Sequence, residues 1–103
     1  MKKIANCVFE REVLKEKKKC VVLFSSTICR HCNEIRIILR KIEKKSENMC
    51  FFEIEFLDNM ELARQYSIAF LPTVIVFDNG QVISMIQGIK TEKKYFDKVG
   101  VKY

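Results

Sequence analysis

Residues Cys20–Ser25 (CVVLFS) form an unbroken apolar run. A half-exposed strand would alternate apolar with polar residues, so this pattern belongs to a central strand covered on both faces. It is followed, from about residue 30 to 46, by Ile35, Ile38, Leu39 and Ile42 at positions i, i+3, i+4 and i+7, with Arg and Lys between them. That is the period of an amphipathic helix. Next, Cys50–Leu57 (CFFEIEFL) sets Phe52, Ile54 and Phe56 against Glu53 and Glu55, the two-residue period of a strand. Strand, helix, strand in this order is a βαβ unit, whose two strands run parallel through a right-handed crossover.

The rest of the chain extends this unit. Asn59 is placed to cap a short helix carrying Leu62, Ala63 and Tyr66. Thr73–Phe77 (TVIVF) and Gln81–Ile86 flank Asp78-Asn79-Gly80, and Asn-Gly between apolar runs signals a hairpin. Thr91 can cap a final helix burying Tyr95, Phe96 and Val99. Upstream, Phe9, Val13 and Leu14 mark a first helix, preceded by at most a very short strand around Lys2 to Ala5. The expectation is an α/β fold of order β-α-β-α-β-β-α, with a mixed sheet of four to five strands and helices on both faces. At 103 residues, with three Gly and one Pro and no linker or repeat, residues 1–103 are expected to form a single domain.

The net charge of +6 raises a nucleic-acid reading. The charge lies in two clusters, Lys15, Lys17, Lys18 and Lys19, and Arg36, Arg40, Lys41, Lys44 and Lys45. The second is interleaved with Glu34, Glu43 and Glu47 on the polar face and C-terminal end of the long helix, where cations suit the helix dipole. No aromatic residues are interleaved as single-strand binders require, so solvated helix surface is the preferred reading and no nucleic acid is expected. No stretch approaches the roughly 18 apolar residues of a membrane helix. The apolar stretch after Lys2-Lys3 stops at Asn6, Glu10, Arg11 and Glu12, unlike an export signal. Five cysteines, an odd number without framework spacing, fit a reducing compartment. A soluble cytoplasmic protein is expected.

Cys29, Arg30, His31 and Cys32 fall where the central strand gives way to the long helix. Cysteines three apart in a first helical turn have Cα atoms about 5–6 Å apart, which a disulfide accepts, so the pair can open and close without distorting the backbone. Unsatisfied N–H groups and the positive dipole end of a helix lower the pKa of a cysteine there, and Cys29 gains most. Arg30 and His31 add positive charge, and the His31 ring is placed to pair with the Cys29 thiolate. Redox chemistry is the preferred reading. The alternatives are inert cysteines or a metal half-site. No second Cys-x-x-Cys completes a zinc site, the one His lies between the cysteines, and an iron–sulfur cluster would have to be shared by two chains.

With those residues in place, the chain resembles a thioredoxin over nearly its whole length. The matching stretches are Val21–Phe24 leading into Cys29-Arg30-His31-Cys32, Asn59–Tyr66 (NMELARQY), Ile68–Val76 (IAFLPTVIV), Phe77–Gly80 (FDNG) and Gly88, in order and in spacing. The resemblance implies that Cys29 is the nucleophile and Cys32 the resolving thiol of a protein-disulfide reductase. It also implies that Pro72 is cis beside the pair, whereas the residues alone read Pro72 as a strand start, since only about 5–6% of X–Pro bonds are cis. A substrate groove would be lined by Ile28, Leu71, Pro72, Gln87 and Gly88, with main-chain atoms of Leu71 pairing with an extended substrate segment. No bound cofactor is implied. Reducing equivalents would come from NADPH through a flavin-containing thioredoxin reductase, the other partners would be disulfide-containing proteins, and a monomer is expected. Rival readings are a dithiol oxidase or isomerase, or a thioredoxin-fold binding or chaperone module without turnover. A glutaredoxin fits less well, because Leu71-Pro72-Thr73 has the thioredoxin form.

The chain departs from the family at several places. Thioredoxins usually read Trp-Cys-Gly-Pro-Cys, whereas this chain has Ile28-Cys29-Arg30-His31-Cys32 and no Trp. A His second between the cysteines resembles disulfide isomerases and bacterial disulfide-forming oxidases, and implies a less reducing protein. The buried Asp that thioredoxins keep behind the cysteines is replaced by Leu23, and Glu53 stands where the neighbouring strand usually supplies Lys. The expectation is that Glu53 serves as the carboxylate near Cys32, its pKa raised by partial burial. The alternative is a Glu53 that faces outward with Glu55. Cys20 and Cys50 open adjacent strands, so a second disulfide is conceivable, but buried free thiols are preferred. Cys7 carries no functional reading.

Overall fold

A computed structural model describes residues 1–103. In chain order the elements are β1 (Lys2–Lys3), α1 (Asn6–Phe9) running into a π-helical turn (Glu10–Leu14), β2 (Lys19–Ser25), α2 (Cys32–Lys45), β3 (Met49–Glu55), a 3₁₀ turn (Phe56–Asp58), α3 (Met60–Gln65), β4 (Thr73–Asp78), β5 (Gln81–Gln87) and α4 (Glu92–Val99). The five strands make one mixed sheet of order β1-β3-β2-β4-β5, so the unbroken apolar run is its middle strand. β1, β3 and β2 are parallel, and β4 and β5 are antiparallel additions.

Strand alternation divides the core into two layers. Cys20, Val22 and Phe24 of β2 join Phe9, Val13, Phe52, Ile54, Leu62 and Phe77 on the face covered by α1 and α3. Val21 and Leu23 join Ile35, Leu39, Ile42, Phe51, Tyr95, Phe96 and Val99 on the face covered by α2 and α4. Helices therefore lie on both faces, as the covered strand demands.

Three local expectations are corrected. The long helix starts at Cys32 rather than near residue 30, because His31 is its cap, with its carbonyl accepting from Ile35 N–H at 3.5 Å. β3 ends at Glu55, whose side chain accepts from Leu57 N–H at 3.2 Å and turns the backbone into the 3₁₀ turn. Asn59 precedes α3 but does not cap it with its side chain. Its Oδ1 instead accepts from Asn6 N–H at 2.9 Å, and its Nδ2 donates to the Glu55 carbonyl at 2.9 Å, tying the start of α1 to the end of β3. Thr91 caps α4 as expected, its hydroxyl accepting from Lys94 N–H at 3.2 Å.

Several basic residues are engaged by partners within the chain. Lys19 donates to the Val99 carbonyl at the end of α4 at 2.9 Å, and Lys41 pairs with Glu92 at 3.0 Å. Arg36, read as polar helix surface, is turned inward, as described below.

The hairpin turn is the two residues Asn79 and Gly80, both at positive φ, 51° and 79°, the primed geometry that matches strand twist. A Cβ on Gly80 would also run into the Leu14 carbonyl. Gly80→Ala should therefore destabilise the protein by about 2 kcal/mol or more, combining the left-handed penalty with that overlap. Urea unfolding at neutral pH checks it.

Candidate active site

The active-site segment is built where β2 runs out. Ser26 is buried, and its carbonyl accepts from Cys29 N–H at 3.1 Å while its Oγ accepts from Ile28 N–H at 3.2 Å. These bonds fold residues 26–29 into a tight turn that delivers Cys29 to the N-terminus of α2. Glu55 steadies the turn from β3, accepting from Thr27 N–H at 3.0 Å. Cys29 and Cys32 are joined as a disulfide with Cα atoms 5.5 Å apart. Cys29 is half-buried and follows Ile28, which is 80% exposed, whereas Cys32 is 1% exposed beneath it. One sulfur can meet a partner and the other cannot.

The other end of the site comes from β4 and β5. The Leu71–Pro72 bond is cis. Thr73 pairs with Phe24 on one side and with Gln87 on the other, which sets Pro72 and Gly88 at the sheet end where β2 enters the cysteine turn. Gly88 N–H donates to the Pro72 carbonyl at 2.8 Å, and the Tyr95 hydroxyl from α4 donates to the Gly88 carbonyl at 2.7 Å. Phe70, which the sequence reading did not single out, is 64% exposed just before Leu71. Its carbonyl accepts from the Thr73 hydroxyl at 2.5 Å. An aromatic residue directly before Leu71-Pro72 was the signal available for it. No group of three or more His, Cys, Asp and Glu side chains converges to hold a metal ion.

Glu53 departs from expectation, and His31 has a neighbour of its own. The His31 ring is exposed and its Nδ1 lies 3.4 Å from Glu34 Oε1. Residues three apart in the first turn share a helix face, so Glu34 lies against the ring while Cys29 is tied in its disulfide. Glu53 is 4% exposed and neither faces outward nor has a raised pKa. Register sets it beside Leu23, and its carboxylate accepts from Arg36 Nε at 3.1 and 3.0 Å, from Arg36 Nη2 at 2.6 Å and from Ser25 Oγ at 2.6 Å. Burial alone would raise the Glu53 carboxyl. The hydrogen bonds from Arg36 and Ser25 and the charges of Arg36 and Lys3 outweigh it and hold the group below the usual carboxylate range. Arg36, one helical turn past Cys32, is the partner that the sequence reading left on the surface. A Glu53 fixed as a carboxylate does not titrate near neutrality. The rate at which Cys32 resolves a mixed disulfide should therefore show no Glu53 ionisation between about pH 6 and 8. Comparing the pH–rate profiles of the wild type and Glu53→Gln by stopped flow checks this.

A family model described as thioredoxin matches residues 1–100. The chain belongs to the thioredoxin family. A thioredoxin of Mycobacterium bovis is 28% identical over 89 residues, which is 85% of this chain and 77% of that protein. A bifunctional thioredoxin reductase/thioredoxin of Mycobacterium leprae is 28% identical over 88 residues, 84% of this chain but 19% of the relative. An NADPH-dependent thioredoxin reductase 3 of Arabidopsis thaliana is 30% identical over 76 residues, 73% of this chain and 14% of the relative. This chain thus matches one part of each reductase. Membership of the thioredoxin family and the joined cysteine pair identify the protein as a thiol–disulfide oxidoreductase working by dithiol–disulfide exchange. No helix in this thioredoxin-fold chain is long and apolar enough to cross a membrane.

Proposed function

We propose that the chain is a protein-disulfide reductase in which Cys29 attacks and Cys32 resolves. The observation that carries this is the asymmetry of the pair, a half-buried Cys29 over a buried Cys32 at the N-terminus of a 14-residue helix. The Cys29 thiolate attacks one sulfur of a substrate disulfide and expels the other as a thiolate, giving a mixed disulfide. Cys32 then attacks Cys29, the substrate leaves as its second thiolate, and Cys29–Cys32 is oxidised. Glu53 is engaged by Arg36 and Ser25, so the Cys32 proton passes to the departing thiolate or to water. Ile28, Phe70, Leu71, Pro72, Gln87 and Gly88 form the groove, with Leu71 main-chain atoms pairing with an extended segment of the substrate.

The oxidised pair is returned to the dithiol by a flavin-containing thioredoxin reductase drawing on NADPH. The likeness to parts of two relatives named as thioredoxin reductases, one of them NADPH-dependent, supports this. The chain works in the cytoplasm as a monomer, and three free cysteines, Cys7, Cys20 and Cys50, suit a reducing compartment. The test couples NADPH oxidation by a bacterial thioredoxin reductase to reduction of insulin. Turnover that needs all three components supports the proposal, and insulin reduction no faster than without the chain refutes it. A second reading, a dithiol oxidase or isomerase, draws on the exposed Arg30 and His31 between the two cysteines. Faster oxidation of a reduced protein than reduction of an oxidised one would favour it.

A further inference from the structure

At the opposite end of β2 from the active site, Cys20 and Cys50 are direct register partners on the parallel strands β2 and β3. Neighbouring strands lie about 4.7–4.9 Å apart, inside the Cα separation that a disulfide accepts, and register partners present their side chains to the same face. Here that face is the α1 layer: Cys20 belongs to its core and Cys50 packs against it. Both are free thiols, Cys20 buried and Cys50 half-buried. Each has a polar neighbour. The Cys50 thiol donates to Glu16 Oε1 at 3.9 Å, and the Cys20 thiol points at the Glu12 and Lys18 carbonyls at 4.0 and 3.7 Å. From Cys20 to the end of β2 is roughly 16 Å, so these sulfurs do not exchange with Cys29 or Cys32 of the same molecule.

We propose that Cys20 and Cys50 form a second redox couple, closed by hydrogen peroxide into a disulfide between β2 and β3. Cys50 is the member that solvent reaches, and its proton leaves to water as the thiolate forms. The Cys50 thiolate attacks the peroxide O–O bond, becoming a sulfenic acid as the first water leaves. Cys20 sulfur then attacks Cys50 sulfur, and the Cys20 proton departs with the sulfenic oxygen as the second water. Two thiols lose two electrons, and one peroxide becomes two waters. Burial and the nearness of Cys50 push the Cys20 thiol up to about 12, so Cys50 rather than Cys20 is the sulfur that meets the peroxide first. The couple is independent of the assignment made to Cys29 and Cys32.

The test uses the full chain carrying Cys29→Ser and Cys32→Ser, which leaves Cys7, Cys20 and Cys50 as its thiols. It is titrated with hydrogen peroxide, denatured, alkylated and mapped by mass spectrometry. The expected result is a fall from three alkylated cysteines to one, Cys7, in a monomer containing a Cys20–Cys50 peptide that dithiothreitol separates. Cys50 advancing to sulfinic acid while Cys20 remains alkylatable would overturn the proposal. So would loss of thiols only through intermolecular Cys7 bridges.

Discussion

Cys29→Ser is expected to lower disulfide reduction by on the order of 10³-fold or more, the scale seen when a covalent nucleophile is removed. Cys32→Ser should behave differently. With Cys29 half-buried at the helix end and Cys32 beneath it, the Cys32→Ser protein still attacks a substrate but has no thiol to release it. A mixed disulfide through Cys29 should accumulate in near-stoichiometric amount. Non-reducing electrophoresis and peptide mapping read both results. Equal trapping by both variants would show that the exposure of the two sulfurs does not set their roles. Unchanged partner binding by Cys29→Ser with no turnover in the parent protein would point to a binding module.

Arg36→Ala should cost about 3 kcal/mol at neutral pH, the low end for breaking a buried ion pair, because the side chain of Arg36 keeps 22% exposure while that of Glu53 keeps 6%. The loss arises from a carboxylate left under α2 with Ser25 alone to solvate it. In a domain of this size the thermal midpoint should fall by on the order of 10–20 °C. The pair also sets an acid limb. Glu53 is lower in the folded protein than in the unfolded chain, so on acidification the unfolded chain takes up the proton first. The stability from the pair is complete above the ordinary Glu range and is lost as pH falls through the folded value. Between about pH 5 and 3 the wild type should lose stability more steeply than Glu53→Gln, as measured by urea unfolding at each pH.

Much of this was legible in the residues. The covered strand at Cys20–Ser25, the helical period after Cys32, the Asn79-Gly80 turn and the Thr91 cap depend on local pattern, and each appears in the structure within a residue or two. The cysteine pair was legible for the same reason, since strand, turn and helix N-terminus are consecutive in the chain. What could not be read locally were choices between partners distant in sequence. Arg36 belongs by period to a polar helix face, and only the placement of Glu53 on β3 beneath that face turns it inward. Asn59 has the composition of a helix cap, but Asn6 N–H competes for its oxygen across the fold. His31 was read toward Cys29 alone, and Glu34, three residues on in the same helical turn, lies against its ring. Phe70 carries no periodic signal, because it lies in the irregular segment before β4.

The proposed function rests on the Cys29–Cys32 couple donating electrons to protein disulfides. Its most direct test is the equilibrium potential of that couple against a glutathione buffer, read from the fraction of alkylatable Cys29. The helix dipole and the charge of Arg30 stabilise the thiolate and raise the potential somewhat, while the Glu34 carboxylate beside the exposed His31 ring adds a negative charge at the same helix end. The predicted value lies nearer the thioredoxin figure of about −270 mV than the about −180 mV of disulfide isomerases. A value at or above about −180 mV would contradict a reductase and assign the same two cysteines to oxidation or isomerisation.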